Sequence, residues 1–484
     1  MTDSSEYQKI VTSLKRKKEG ATVADICANT ALPLSVVQEL LPKAADEYSA
    51  HLRVTQSGEI LYYFPNGFKS RFKGFGAILK KIFKKTVSFT KKALALLFKI
   101  WIMVMLIGYF VFFILLTLAI FFLSIAARNN NNDRSDGFGG LRIFDILIRI
   151  WFIGEFSRSD REYNFNLPKK NKEKRPLHKG VFSFIFGDED PNKNWEEQRN
   201  RAIISFLQTN SGCISLTEYM SFTGENSLEA EESILSFCSK YGGSPEVTEE
   251  GTILYRFDAL LKSNNEILYT VSENSVPIQR LKTFSTNSKK MNVWFIIINA
   301  VNLIFGSYFL YQSLSAGQLI TELQYQSASY FYAIVHAVMD IFISNPHILI
   351  GLVLGLVPFL FSVLFWIIPL IRYFLEKKQN QNIKINNFKR FSFNKIWSKP
   401  LNIQIESLTP VSDECIPDNL TDAQERVIKD IGAYSSPEIL INDEGKTVYS
   451  FDKLKKEKEA LEKYRININL EQYKIGNIVF DSNE

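Results

Sequence analysis

The chain has 484 residues, with 57 Lys and Arg against 51 Asp and Glu, for a formal charge of +6. That length accommodates several domains, and long charge-free runs alternating with charged segments exclude a purely soluble or secreted enzyme. The four cysteines, Cys27, Cys213, Cys238 and Cys415, have no C-x-x-C spacing, so they give no support to a zinc site or redox dithiol and fit free thiols in a reducing compartment. The opening MTDSSEYQKI lacks both the apolar core of a signal peptide and the Arg-rich, acid-poor bias of a transit peptide.

Residues 1–66 carry helical patterns over 7–18, 23–29 and 34–49, followed by the hairpin signature Gly58, Ile60, Leu61, Tyr62, Phe64. Three helices and a two-stranded wing predict a winged-helix domain, with Ala31-Leu32-Pro33-Leu34-Ser35 as the turn of a helix-turn-helix. Residues 67–156 begin with Lys69, Arg71, Lys73, Lys80, Lys81, Lys84, Lys85, Lys91 and Lys92, with no acidic residue among them. A basic stretch ahead of an apolar run is expected on the cytoplasmic side, and Lys80, Lys81, Lys84 and Lys85 are the expected contacts with anionic lipid. The charge-free run 100–127 exceeds the ~30 Å of a bilayer core and fits one tilted span or a tight hairpin. Over 141–156, Arg142, Asp145 and Arg149 share one face, which predicts an interfacial amphipathic helix.

A basic linker, 157–191, leads to a second winged-helix-like domain at 192–261, with helical patterns over 195–209, 216–222 and 228–240. Its hairpin repeats the earlier spacing as Gly251, Ile253, Leu254, Tyr255, Phe257. Residues 291–375 predict a transmembrane hairpin with an outer loop, because Lys289 and Lys290 precede it and Arg372, Lys377, Lys378 and Lys384 follow. Pro346, Pro358 and Pro369 should break or kink its second helix. Residues 385–465 form a degenerate third copy, recognisable by Gly445, Thr447, Val448, Tyr449 and Phe451, and 466–484 is a tail. The fold class expected is mostly α: a helical membrane protein with two clear and one degenerate winged-helix (α+β) domains.

The second helix of each turn is acidic, with Glu39, Asp46 and Glu47 beside Lys43 in the first copy and Glu229, Glu231 and Glu232 beside Lys240 in the second. Duplex DNA selects for Lys and Arg at that helix, so a protein-contact module is favoured over a DNA reader.

Phe184-Ile185-Phe186-Gly187-Asp188-Glu189-Asp190-Pro191-Asn192, Tyr241-Gly242-Gly243-Ser244-Pro245-Glu246-Val247-Thr248 and Ile368-Pro369-Leu370-Ile371-Arg372 together resemble a poorly characterised family of cyanobacterial and chloroplast membrane proteins. Members are sometimes labelled iron–sulfur cluster biosynthesis proteins, a label that implies cysteine chemistry. No paired cysteines are present here, so no cluster and no catalytic residue is carried over.

Asp188, Asp190 and Asn192 alternate as in a calcium loop but lack its Gly and closing Glu, so a polar turn capping the helix from Trp195 is expected, with Asp190 or Asn192 as cap. His336 and Asp340, four apart, are a candidate polar site at membrane depth, set against an ordinary interfacial helix. Asn299 and Asn302 lie in a charge-free run, where interhelical hydrogen bonding is the default. No Walker loop, H-E-x-x-H, G-x-S-x-G or dinucleotide fingerprint occurs. The charged stretch from Lys453 to Arg465 calls for no special role.

The expected function is a non-catalytic scaffold or assembly factor of the bacterial inner membrane, or an equivalent organelle membrane, with its soluble domains cytoplasmic. No cofactor or metal is expected. Expected partners are membrane lipids and an unidentified protein, with homo-oligomerisation open and nucleic acid disfavoured. A membrane-anchored transcription regulator is the alternative, and a transporter comes third.

Overall fold

The computed structural model describes residues 3–17, 20–64, 68, 75–128, 176–263, 277–317, 330–340, 346–443 and 445–482. The expected amphipathic helix at 141–156 lies outside them, as does most of the 157–191 linker. The chain is mostly helical and divides into two units. One comprises residues 1–82, 189–282 and 377–484, and the other 83–188 and 283–376.

In the first unit, sequence punctuation sets the helix ends. Thr22/Asp25, Ser215/Glu218 and Asn226/Glu229 each form a reciprocal capping box, satisfying orphan amides at the starts of helices Val23–Thr30, Leu216–Thr223 and Ser227–Tyr241. Ala31 and Gly224 end the Val23–Thr30 and Leu216–Thr223 helices in the left-handed conformation, at φ 53° and 75°. Each then leads into a further helix, Leu34–Glu47 or Ser227–Tyr241.

Three hairpins follow one rule. Strands β1 (His51–Thr55) and β2 (Ile60–Tyr63) pair with Val54 opposite Ile60. After β3 (Cys213–Ser215), β4 (Ser244–Val247) and β5 (Ile253–Arg256) pair with Val247 opposite Ile253. After β6 (Ile403–Gln404), β7 (Glu438–Ile441) and β8 (Thr447–Ser450) pair with Ile441 opposite Thr447. In each turn a glycine amide bonds back three residues: Gly58 to Thr55, Gly251 to Thr248 and Gly445 to Asn442, all at 2.9 Å. These glycines have φ 77°, 78° and 75°, the left-handed geometry that a bulged hairpin turn requires.

The second strand of each hairpin is flanked on its other side by a short antiparallel partner. That partner is β3 for β5, β6 for β8, and only an isolated Ala21–Tyr62 bridge for β2. Strand β9 (Ile478–Asp481) covers the outer edge of β1, and Arg53 meets Asp481 at 2.7 Å.

The aromatic positions of the hairpins enter the core as their alternation predicts: Tyr62 and Tyr255 are each 7% exposed, and Phe257 and Phe451 are fully buried. Ile60 and Ile253, which the two-residue period puts on the same face as those tyrosines, are exposed, while Leu61 and Leu254 on the opposite face are buried. The strand is therefore covered on both sides. Leu254 packs with Cys213, Trp397 and Leu461, so a neighbouring element takes the place that solvent would occupy in an isolated domain.

The helix Asp452–Asn467, which promised only surface ion pairs, supplies two anchors, Glu457 buried and Arg465 half-buried. Glu457 receives the Thr217 amide and hydroxyl and the Tyr434 hydroxyl. Arg465 forms a two-pronged bond to Glu218, at 3.0 and 2.7 Å, and a third to the Cys213 carbonyl at 2.7 Å.

The second unit contains apolar helical stretches. Among the described residues, three helices are long and apolar enough to cross a membrane, over Phe89–Phe122, Lys289–Ser315 and Ile350–Ser398. The run 100–127 lies within one continuous helix, Phe75–Arg128, so the hairpin alternative is not adopted. Asn299 and Asn302, both fully buried, donate to the carbonyls of Ser362 and Leu106 at 3.1 and 2.8 Å and so bridge helices.

Glycine permits close helix approach here: a Cβ at Gly355 would lie 2.7 Å from the Leu310 nitrogen, and one at Gly306 would lie 2.9 Å from the Phe359 nitrogen. Pro346 opens a helix, and Pro369 sits inside Val357–Ser398. Ahead of Pro358 the chain widens to a π-helix over Ile350–Leu356. That adjustment suits a residue with no N–H to give and a ring that crowds the carbonyl four residues back.

Candidate functional site

Among the described residues, no group of three or more His, Cys, Asp or Glu is placed to hold a metal. The four cysteines are buried. Burial pushes the Cys27 and Cys213 thiols up to about 12 and Cys238 to about 11, and raises Cys415 as well, so the neutral thiol is favoured over the thiolate.

The sequence-derived sites are scattered. Lys80, Lys81, Lys84 and Lys85 fall on the Phe75–Arg128 helix, and their side chains lie outside the described residues. His336 and Asp340 lie on helix Tyr330–Asp340, where His336 is half-buried with its ring 6.2 Å from Tyr332, and Asp340 is exposed at the helix end.

The helix cap expected from Asp190 or Asn192 does not form. Asn194 stands at the cap position of the Trp195–Thr209 helix without a side-chain bond. Asn192 instead accepts the Arg280 amide at 2.9 Å and donates to its carbonyl at 2.7 Å, because a side-chain amide satisfies both backbone groups at once. Asn387 does the same for Gln279 at 2.9 and 2.8 Å, and Asn380 for Lys282, both bonds at 2.8 Å. Asp190 meets Lys282 at 2.7 Å. Three asparagines thus hold residues 279–282 as a neighbouring strand would.

That strap closes one side of a cavity of about 790 Å³ within the first unit, a size usual for small-molecule sites. Trp195, Arg199 and Asn200 come from the Trp195–Thr209 helix, Thr223 to Glu225 from the turn before Ser227–Tyr241, and Asn386, Lys389 and Arg390 from Val357–Ser398. Gly224 permits the close approach, since a Cβ there would lie 3.0 Å from the Asn386 carbonyl oxygen.

Arg390, 3% exposed, is the deep cation. Its Nε donates to the Thr223 carbonyl at 3.1 Å and its Nη1 to Asn387 Oδ1 at 2.9 Å, and its guanidinium lies 4.5 Å from the Trp195 ring centre. No carboxylate among the described residues comes within ion-pair distance of it. Burial first, and then the neighbouring Arg199 charge, lower its pKa to about 10, with Glu225 opposing. Arg199 approaches Glu225 at 3.7 Å, and its buried Nε has no partner. Lys389 is committed to Asp430 at 2.7 Å, and Glu225 also accepts from the Ser233 hydroxyl. The wall holds two further unsatisfied oxygens, Asn200 Oδ1 and Gln279 Oε1. The sequence assigns Lys377, Lys378 and Lys384 to a membrane flank and 385–390 to the degenerate third repeat, and neither reading marks this site. The available signal was the density of asparagine among those cations.

The chain is similar to an Arabidopsis thaliana protein described as uncharacterised and chloroplastic, 25% identical over 402 residues that cover 78% of this chain and 70% of the relative. No protein-family model matches the chain. No solved structure matches it.

Proposed function

We propose that this chain is a non-catalytic scaffold or assembly factor, anchored in a membrane by its apolar helices, whose three α/β lobes are winged-helix-like repeats that contact protein. The identical hairpin registers and turn bonds support the repeat. The observation that carries the functional reading is the solvent face of Ser227–Tyr241, the second helix of the turn. It presents Glu229, Glu231 and Glu232 together with Leu228, 77% exposed, and Leu235, 54% exposed. An acidic and apolar helix face lacks the cations that a duplex phosphate backbone needs and suits a protein surface. In the first lobe Glu39 and Asp46 are exposed, and the Lys43 ammonium is engaged by Glu39 at 2.7 Å.

Strand β7 adds an exposed apolar sheet edge, with Ile439 at 65% and Ile441 at 76%, suited to a protein partner or a second copy of the chain. The basic run including Lys80, Lys81, Lys84 and Lys85 supports lipid contact and a cytoplasmic or equivalent position for the lobes. The plant relative's description favours an organelle membrane or its bacterial counterpart.

A photo-crosslinking residue at Leu235 in the full chain tests the reading. A discrete protein adduct is expected, abolished by Glu231→Lys with Glu232→Lys. Tight, salt-sensitive binding of duplex DNA by the purified chain would instead establish the regulator.

A further inference from the structure

We propose that the cavity between the Trp195–Thr209 helix and residues 386–390 binds the oxyanion group of a small hydroxylated metabolite, a sugar phosphate being the simplest member, with Arg199 and Arg390 as its anchors.

A buried guanidinium without a carboxylate partner is an uncompensated charge, which proteins otherwise avoid. Arg390 is in that position: a second guanidinium, Arg199, stands beside it, and Glu225 pairs with Arg199 at 3.7 Å instead. Both arginines line the cavity, and the Arg199 Nε is buried without a hydrogen-bond partner. Two planar forks offering unspent N–H groups suit phosphate or carboxylate oxygens.

The Trp195 ring, the Thr223 carbonyl and Asn387 fix the Arg390 fork in advance, so little ordering is needed on binding. The nearby acids do not fill this role. Glu225 is held by Arg199 and Ser233, Glu229 caps its own helix, and Glu232 is exposed. The cavity is far larger than a bare phosphate. The unsatisfied oxygens of Asn200 and Gln279 in its wall call for donors, and ligand hydroxyls reached by small side-chain rotations provide them.

Calorimetric titration of the detergent-solubilised full chain at matched ionic strength provides the test, with glucose 6-phosphate, inorganic phosphate and glucose as probes. Saturable binding of glucose 6-phosphate, tighter than inorganic phosphate and absent for glucose, is expected. Arg199→Gln should weaken it about tenfold or more, which is about 1.4 kcal/mol, while Arg199→Lys should give an intermediate loss because the charge stays and the fork goes. The melting temperature without ligand, measured on each variant, separates loss of the site from loss of the fold. Absence of saturable binding up to about 10 mM, equal binding of inorganic phosphate, or an unchanged affinity in a folded Arg199→Gln chain would overturn the proposal.

Discussion

Replacing Arg465 by Met should destabilise the first unit by about 3–5 kcal/mol, the range for removing one partner of a buried ion pair. Glu218 shows why the cost is large. Its side chain is 6% exposed, and Arg465 is the cation that meets it, while the Trp397 indole lies near the carboxylate. Burial raises the Glu218 pKa, and Arg465 is the main opposing influence. Met conserves much of the side-chain volume, so the loss is electrostatic.

A carboxyl whose folded pKa exceeds its unfolded value carries a penalty that is absent below the unfolded value and grows as pH rises through the folded one. Without Arg465 that penalty increases. The deficit of Arg465→Met should therefore be larger at neutral pH and shrink as pH falls toward the ordinary Glu value of about 4.3. Adding Glu218→Gln should recover roughly 2 kcal/mol or more at neutral pH, because no buried charge remains. Denaturant titration followed by tryptophan fluorescence is suitable, since Trp397 lies beside the pair. A cost under about 1 kcal/mol, or one that does not change with pH, would refute the reasoning.

Phe257→Ala should cost about 3–5 kcal/mol and open the second lobe to protease, because Phe257 is fully buried with its ring 5.5 Å from that of Phe237. The apolar helices should stay resistant to alkaline extraction. Gly355→Val should disrupt packing of the Lys289–Gly317 helix against the π-helical stretch, read as lost monodisperse protein in detergent, because the new side chain meets Leu310 backbone. Gly251→Ala has open space around it and only φ 78° to strain, so about 1–2 kcal/mol is expected in denaturant titration.

The parts of this fold that were legible in sequence rest on local chemistry. A left-handed turn position selects Gly58, Gly251 and Gly445, and a two-residue period selects Tyr62, Tyr255 and Phe257. Long apolar runs report themselves by length alone. What escaped depends on partners distant in sequence. Strand β6 has two residues and carries no periodicity, so the third sheet was only half visible. Glu457 and Arg465 sit among i, i+4 charges that account for them locally, and only Thr217 and Glu218, more than two hundred residues away, show otherwise. Arg390 carries no signal of its own within the third repeat, and its role depends on the Trp195 ring and the Thr223 carbonyl, both distant in sequence. Asn192 does not cap for a related reason: a cap is a local solution, and Asn192 has a better one at Arg280.

The pairing of β9 with β1 bears on how the molecule is made. Arg53 and Asp481 are 428 positions apart. At ribosomal speeds of about 5–20 residues per second, β1 waits roughly 20–90 s for its outer neighbour to be synthesised. During that interval its backbone amides and carbonyls are an open template at the nascent chain's first lobe. Both apolar excursions must also leave the ribosome before the last segment of that unit exists. Biogenesis therefore includes a window in which a chaperone or a second nascent chain competes for the edge that Ile478–Asp481 finally occupies. Slowing elongation late in the message should lengthen that window, whereas truncation before Ile478 should leave it permanently open.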